Sequence, residues 1–193
     1  EAISIDLIDT LKAVSGAGLA APQINILKCV LVIDASKFET QNPDADLMEN
    51  NKEMWVISNP QIYNEAGEFE WNEACLSVPL ITTMVKRKET ISLSYDDVKG
   101  QRRSLDLVPP LSLAVQHEFD HLIGKTILDR VSSLKSSMYK RKIRKHVLKS
   151  VRQAEYLKEN EGKIINHNKR NSTLSKQEVK KRKKIKTLNR KKT

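Results

Sequence analysis

Gln116-His117-Glu118-Phe119-Asp120-His121-Leu122-Ile123-Gly124 is the segment from which both the architecture and the chemistry of this chain can be argued. It ends an apolar run that opens near Ser112, just past Pro109-Pro110. A helix over about Ser112 to Ile123, stopped by Gly124, is the natural reading, because proline precedes helices and glycine follows them. Residues four apart on a helix share a face one turn away from each other. His117 and His121 can therefore grip one metal ion while Glu118 points toward a water on that ion. The chemistry asks for this grouping: a metal lowers the pKa of bound water to about 7, and a carboxylate takes the remaining proton. A buried histidine pair in an amphipathic helix would leave the same pattern, so the motif by itself keeps both readings open.

A catalytic metal of this type needs a third protein ligand and an open position. His146 and His167 lie in strongly basic sequence and are poor candidates. Upstream, Cys75 stands in Glu73-Ala74-Cys75-Leu76-Ser77, among polar residues and just ahead of Val78-Pro79. The second cysteine, Cys29, opens the apolar run Cys29-Val30-Leu31-Val32-Ile33 and is expected to be a small buried hydrophobe. A Cys–His–His set with one free position would be catalytic rather than structural.

Around the motif helix the sequence reads as short strands. Ala2 to Val14 is a first helix with Ile5, Leu7, Ile8 and Leu11 apolar, and Ser15-Gly16-Ala17-Gly18 turns the chain sharply. The run from Cys29 to Ile33 is a buried strand. Polar residues 34–53 form a surface loop, Trp55-Val56-Ile57 is a strand stopped by Asn59-Pro60, and Thr90 to Tyr95 alternates as a strand that Val98-Lys99-Gly100 turns back toward Arg103 to Leu107. Strands surrounding one strongly apolar helix predict an α+β domain.

Charge divides the chain. Of 193 residues, 34 are Lys or Arg and 24 are Asp or Glu, a net charge of +10. Residues 1–133 hold 12 of the bases and 20 of the acids, whereas residues 134–193 hold 22 bases and 4 acids. An acidic globule thus continues into a basic extension. A helix from Ser133 to about Asn160 is expected, with Leu134, Met138, Ile143, Val147, Val151 and Leu157 at roughly helical spacing and Gly162 stopping it. Residues 163–193 hold almost no apolar side chains and should be disordered when alone. No apolar run has the length to cross a bilayer, no secretory signal pattern is seen, and two distant cysteines do not make a disulfide framework. A secreted knot, a membrane protein and a collagen-like chain are excluded, and a cytoplasmic location is expected.

Three blocks stand in order: Gly16-Ala17-Gly18-Leu19-Ala20-Ala21-Pro22-Gln23, Glu73-Ala74-Cys75-Leu76-Ser77, and Gln116 through Gly124, which Lys125 to Arg130 continue. Together they resemble the three signature motifs of the peptide deformylases, over roughly residues 3 to 132. The resemblance implies an α+β fold of antiparallel sheets around a central helix carrying HExxH, with residues 1–132 as the catalytic domain and 133–162 as a basic C-terminal helix, ahead of the basic tail over 163–193 that its composition marks as disordered. It implies hydrolysis of the N-formyl group from the N-terminal formylmethionine of nascent polypeptides, with release of formate. It further implies a metal, Fe²⁺ first and Ni²⁺, Co²⁺ or Zn²⁺ as substitutes, held by Cys75, His117 and His121. Glu118 would carry the proton from water to the leaving amine. The Gln23 amide and the Leu76 backbone N–H would face the developing oxyanion. Gly18 would let the substrate backbone approach, and Leu113 and Ala114 would line the methionine pocket. Glu73 is expected to pair with Arg87, and Asp120 to support the structure.

The sequence also departs from the family pattern. Ala74 stands where most members have glycine, which is tolerable if its φ is negative and disruptive if it is positive. Thr82 stands where many bacterial members have an arginine near the substrate backbone. Members carry a further stretch ahead of the first helix, and a start upstream of Glu1 is expected. Some members dock on the ribosome through a basic C-terminal helix, so rRNA is the expected partner of the basic extension, where phosphates attract Lys and Arg without reading sequence. Two other readings compete: a ribosome- or RNA-binding protein with an inactive deformylase-like domain, and an HExxH metallopeptidase that cleaves peptide bonds.

Overall fold

In a computed structural model of the chain, residues 2–38, 54–158 and 160 are described. The chain divides into two compact units, Glu1–Ile143 and Arg144–Thr193. The expected disordered tail over 163–193, the Gly162 stop and most of the loop over 34–53 lie outside the described residues.

Helix α1 spans Ala2–Ala13. Leu7 and Leu11, one turn apart, are fully buried against Leu19, Ala21 and Val32, while Ile5 faces solvent. The chain then passes into β1 (Gly18–Ala20), β2 (Val30–Asp34), β3 (Met54–Ala66), β4 (Phe69–Cys75), β5 (Val78–Arg87), β6 (Thr90–Asp96) and β7 (Arg102–Leu107). Five of these strands form one sheet in the order β1-β2-β3-β6-β7, every neighbouring pair antiparallel. Strands β4 and β5 make a separate two-stranded sheet. The fold is α+β with antiparallel sheets, as the sequence reading expects.

Helix α2 (Leu111–Leu122) carries the His117-to-His121 motif. Leu111 and Val115 enter a core with Leu31, Ile33, Ile57, Leu93 and Leu107 from the five-stranded sheet. Side chains around most of its circumference are buried, including the polar Ser112, Glu118, Asp120 and His121. Such a helix is dictated by tertiary packing, and its buried polar groups must find partners. Ser112 does so at its start, and half-buried Gln116 is held beside it. Ser112 Oγ donates to Glu89 O at 2.6 Å, and the Gln116 amide joins both backbone groups of Lys88, donating to its carbonyl at 2.8 Å and accepting from its N–H at 3.0 Å. Gly124 takes φ 74° just past the helix, the left-handed conformation that glycine adopts at low cost.

Several expectations need correction. Strand β3 does not stop at Asn59-Pro60 but runs on to Ala66. Its pairing with β6 shifts register between Ser58 and Gln61, and Asn59 turns to φ 47° with its N–H on Cys29 O at 2.7 Å. A bulge absorbs the proline that a regular ladder would reject. Cys29 is exposed and precedes β2, so it is not the buried hydrophobe expected of it. The β4–β5 hairpin was not legible as strands, although β5 buries alternate residues from Ile81 through Thr83 and Val85 to Arg87. An arginine at a buried phase breaks the apolar alternation from which strands are read.

A third helix, α3, covers residues 133–158. Within the first unit Leu134 and Met138 point to solvent, whereas Tyr139 and Ile143 pack on the cluster of Cys75, Val78, Ile81, Val85 and Ile127. Tyr139 OH donates to Thr83 Oγ1 at 3.1 Å, and Lys142 Nζ to Leu80 O at 3.2 Å. The start of α3 thus backs the hairpin that carries Cys75. Replacing Tyr139 and Ile143 together by alanine is expected to destabilise the chain by about 2–4 kcal/mol through lost apolar burial. The midpoint of urea unfolding checks this; an unchanged midpoint would show that this cover contributes nothing.

Candidate active site

Three elements converge on one cleft of about 540 Å³. Helix α2 presents His117 and Glu118 to it, the end of β4 and the turn after it present Cys75 and Leu76, and β1 with its preceding turn presents Gly16 to Gly18. Cys75, His117 and His121 each offer one ligand atom, all within 4.8 Å of one another. Cys75 Sγ lies 3.2 Å from His121 Nε2. Cysteine and histidine 46 residues apart meet because β4 ends beside the buried face of α2.

The surroundings fit a metal. His117 Nδ1 sits 2.7 Å from Glu73 Oε2, which fixes the ring and turns Nε2 toward the other donors. Burial alone would raise the Cys75 thiol, but the two imidazoles bring it down to about 6. Burial works against charging His117, yet Cys75 and the Glu73 and Glu118 carboxylates raise it to about 10. The sulfur is therefore readily a thiolate, the form that binds metal, and a divalent cation can take the place of the proton on the ring. Sulfur with two imidazole nitrogens suits borderline transition metals rather than Mg²⁺ or Ca²⁺.

Glu118 is the group held most tensely. Its Oε2 is buried and has no hydrogen-bond partner among the described residues. Burial pushes its carboxyl up to about 7, against the pull of His117 and His121. A carboxyl poised near neutrality in a cleft is suited to receive and return a proton. Gly18 lies directly against it: a Cβ on Gly18 would come within 2.6 Å of Glu118 Oε1 and 2.8 Å of its Cγ.

The other residues read from the sequence also face the cleft. Gln23 accepts the Ala20 N–H at 2.8 Å through Oε1 and donates to Ser77 Oγ at 3.1 Å through Nε2. Leu76 is half exposed in the turn after Cys75, and Leu113 and Ala114 line the wall before His117. Ala74 is not among the residues with positive φ, so alanine is accommodated there without strain. It pairs directly with Thr82 across β4 and β5, and both line the cleft.

Behind His117 runs an ion network that the sequence showed only in part. Arg87 grips Glu73 with two bonds, Nε to Oε1 at 2.7 Å and Nη2 to Oε2 at 2.9 Å, as expected of that pair. The same guanidinium donates to Asp120 Oδ2 at 2.6 Å. Arg130 then holds Asp120 from outside through both carboxylate oxygens. Burial opposes ionisation of Glu73 and Asp120, but Arg87 with His117 and Arg130 with Arg87, respectively, hold both below the usual carboxylate range. Arg130 escaped the sequence reading because no spacing rule links it to Arg87. Arg87→Met leaves two buried carboxylates short of a partner and is expected to cost about 3–5 kcal/mol. Thermal and urea unfolding measure this, and a loss below 1 kcal/mol would contradict the role assigned to the pair.

Comparison with known proteins agrees with this geometry. Residues 1–137 match the family described as polypeptide deformylase. The chain is 35% identical over 139 residues to a peptide deformylase of Thermodesulfovibrio yellowstonii, covering 72% of this chain and 78% of that one. It is 37% identical over 140 residues to one of Nitrosococcus oceani, covering 72% and 77%. Among solved structures, a peptide deformylase of Legionella pneumophila superposes with a TM-score of 0.66 at 34% identity, over 79% of this chain and 85% of that one. One of Ehrlichia chaffeensis gives 0.67 at 28% identity, over 77% and 83%. With family, relatives and structural neighbours in accord, the chain belongs to the polypeptide deformylase family, hydrolases that remove the formyl group from the N-termini of nascent polypeptides.

Proposed function

We propose that the cleft hydrolyses the formamide of an N-terminal formylmethionine, with Cys75, His117 and His121 as metal ligands and Glu118 as the proton carrier. The observation that carries this reading is the buried Glu118 carboxyl, whose Oε2 has no hydrogen-bond partner among the described residues, in the same cleft as a Cys–His–His donor set. A divalent cation held by these three residues would supply Lewis acidity toward water and the formyl carbonyl. Fe²⁺ is the proposed physiological ion, with Ni²⁺, Co²⁺ or Zn²⁺ as substitutes.

The chain's own residues do the rest. Glu118 accepts a proton as water adds to the formyl carbon, then delivers it to the departing amine nitrogen. The Leu76 backbone N–H and the Gln23 amide face the oxygen on which charge develops. The bonds from Ala20 N–H and to Ser77 Oγ fix which end of the Gln23 amide turns to the cleft. Gly18 contributes by keeping Glu118 in place and leaving the wall open, and Leu113 and Ala114 offer the methionine side chain an apolar surface. The formamide C–N bond breaks, giving formate and a free amino terminus.

Formate release from a formylmethionyl peptide by anaerobically prepared, Fe²⁺- or Ni²⁺-loaded protein tests this reading. Turnover with one metal per chain is expected. Metal-loaded protein that binds stoichiometrically yet releases no formate would overturn it, and cleavage of unformylated peptides would favour a peptidase instead.

The basic extension is proposed to bring this activity to the ribosome in the cytoplasm. Its 22 bases and 4 acids over residues 134–193 support electrostatic attraction to rRNA phosphates. No helix among the described residues is long and apolar enough to cross a membrane. Co-sedimentation with ribosomes is expected to fall steeply between about 50 and 200 mM salt for the full chain. It should be weak at every salt for a chain ended at Ile143, and equal binding by both would defeat the proposal.

A further inference from the structure

We infer that Arg130 is a positioning residue for the metal site, acting through the ion chain Arg130–Asp120–Arg87–Glu73–His117. The inference rests on the reading of Cys75, His117 and His121 as metal ligands. The chain is continuous in space: Arg130 Nε donates to Asp120 Oδ2 at 2.9 Å, Arg87 Nη1 to the same oxygen at 2.6 Å, Arg87 Nη2 to Glu73 Oε2 at 2.9 Å, and that Glu73 oxygen meets His117 Nδ1 at 2.7 Å. The side chains of Glu73, Arg87 and Asp120 are 5%, 2% and 2% exposed, whereas that of Arg130 is 38% exposed.

Arg130 is far from the chemistry in one useful sense. It does not line the catalytic cleft, which Glu73 and His117 do line. Together with Arg87 and Asp120 it borders a separate recess of about 330 Å³. The hydrogen-bonded route from Arg130 to His117 runs through Asp120, Arg87 and Glu73. Two carboxylates balanced by two guanidiniums make this chain neutral as far as Glu73. Without Arg130 it holds one uncompensated negative charge, and Asp120 competes more strongly for the Arg87 fork. Arg87 can then no longer hold Glu73 square to the His117 ring, and the ring's aim at the ligand position loosens. Low dielectric makes such displacements costly and lets them travel along the network. The hydrogen-bond partner of a ligating histidine fixes both its tautomer and its orientation.

The test uses the full chain and three variants, with Co²⁺ affinity read by competition against a chromophoric chelator and site geometry read from the visible Co²⁺ spectrum. Losing an outer partner of a ligand costs about 10–100-fold in affinity; for Arg130→Gln, further out, an increase in Kd of about tenfold is expected, with an altered spectrum. Arg130→Lys keeps the charge but loses the two-pronged grip and should fall between. Lys86→Gln removes a neighbouring charge paired, among the described residues, with exposed Glu68 and Glu70, and should leave Kd unchanged. If Arg130→Gln fails to fold, Arg130→Lys carries the test, with a rise of at least about threefold expected. A lowered melting temperature with unchanged Kd and spectrum would make Arg130 merely structural and overturn the inference. Equal weakening by Lys86→Gln would replace it with a general charge effect. Wild-type protein that binds no Co²⁺ would overturn both this inference and the assignment of the ligands, whereas stoichiometric wild-type binding with unaffected Arg130 variants would overturn this inference alone.

Discussion

Glu118→Gln is expected to keep its metal and lose formate release by about 10²–10⁴-fold, the contribution typical of a positioned general acid–base group. The substitution is nearly isosteric and leaves Cys75, His117 and His121 untouched, so metal content should remain at the wild-type level. An amide cannot take the proton from the attacking water, nor hand one to the amine. A turnover reduction below tenfold would remove Glu118 from the proton path. The same variant carries a signature in stability. Burial raises the Glu118 carboxyl from 4.5 to about 7 in the fold, so between those values the folded chain binds more protons than the unfolded one. Stability contributed by this group is full below the unfolded value and declines as pH rises through about 7. Metal-free Glu118→Gln should therefore gain in stability over the metal-free wild type as pH is raised from 5 to 8. Parallel stability–pH curves for the two proteins would contradict the burial that raises this carboxyl.

Gly18→Ala is expected to reduce turnover by about 100-fold, because small displacements of a catalytic group are costly to oriented reactions. The added methyl would stand 2.6 Å from Glu118 Oε1, 2.8 Å from Cγ and 2.9 Å from Cδ. Relief cannot come from a swing of the carboxylate tip alone, since Cγ is crowded too and Glu118 is enclosed. The backbone has no objection to alanine: Gly18 is not among the glycines of positive φ, and its pairing with Ile33 is regular. The damage should hence appear in kcat, with metal content retained and only a modest loss of stability. Turnover within threefold of wild type would show that Glu118 works from a position other than the one it occupies beside Gly18. The resemblance implied that this glycine admits substrate; the structure adds that it makes room for the Glu118 carboxylate.

The local part of this protein was legible from its sequence. Four-residue spacing sets His117 and His121 on one face of a helix whatever else the chain does, and glycine at 124 ends that helix for reasons of backbone sterics. The separation of 20 acids before residue 134 from 22 bases after it is likewise written in the chain alone. Long-range pairings were not legible. Pro60 lies within β3 because a bulge relieves it, Cys29 is exposed because β2 begins one residue later, and the β4–β5 hairpin hid behind a buried arginine. The Arg87 that obscured the strand proves to be the centre of the ion network, paired with Glu73 14 residues away and Asp120 33 residues away. Sequence by itself determined which groups could bind a metal and move a proton, since those depend on residue type and helical period. That Cys75 Sγ lies 3.2 Å from His121, that Gly18 abuts Glu118 and that Arg130 closes the chain behind His117 came from the tertiary structure alone, because burial and charge pairing arise only when distant segments pack.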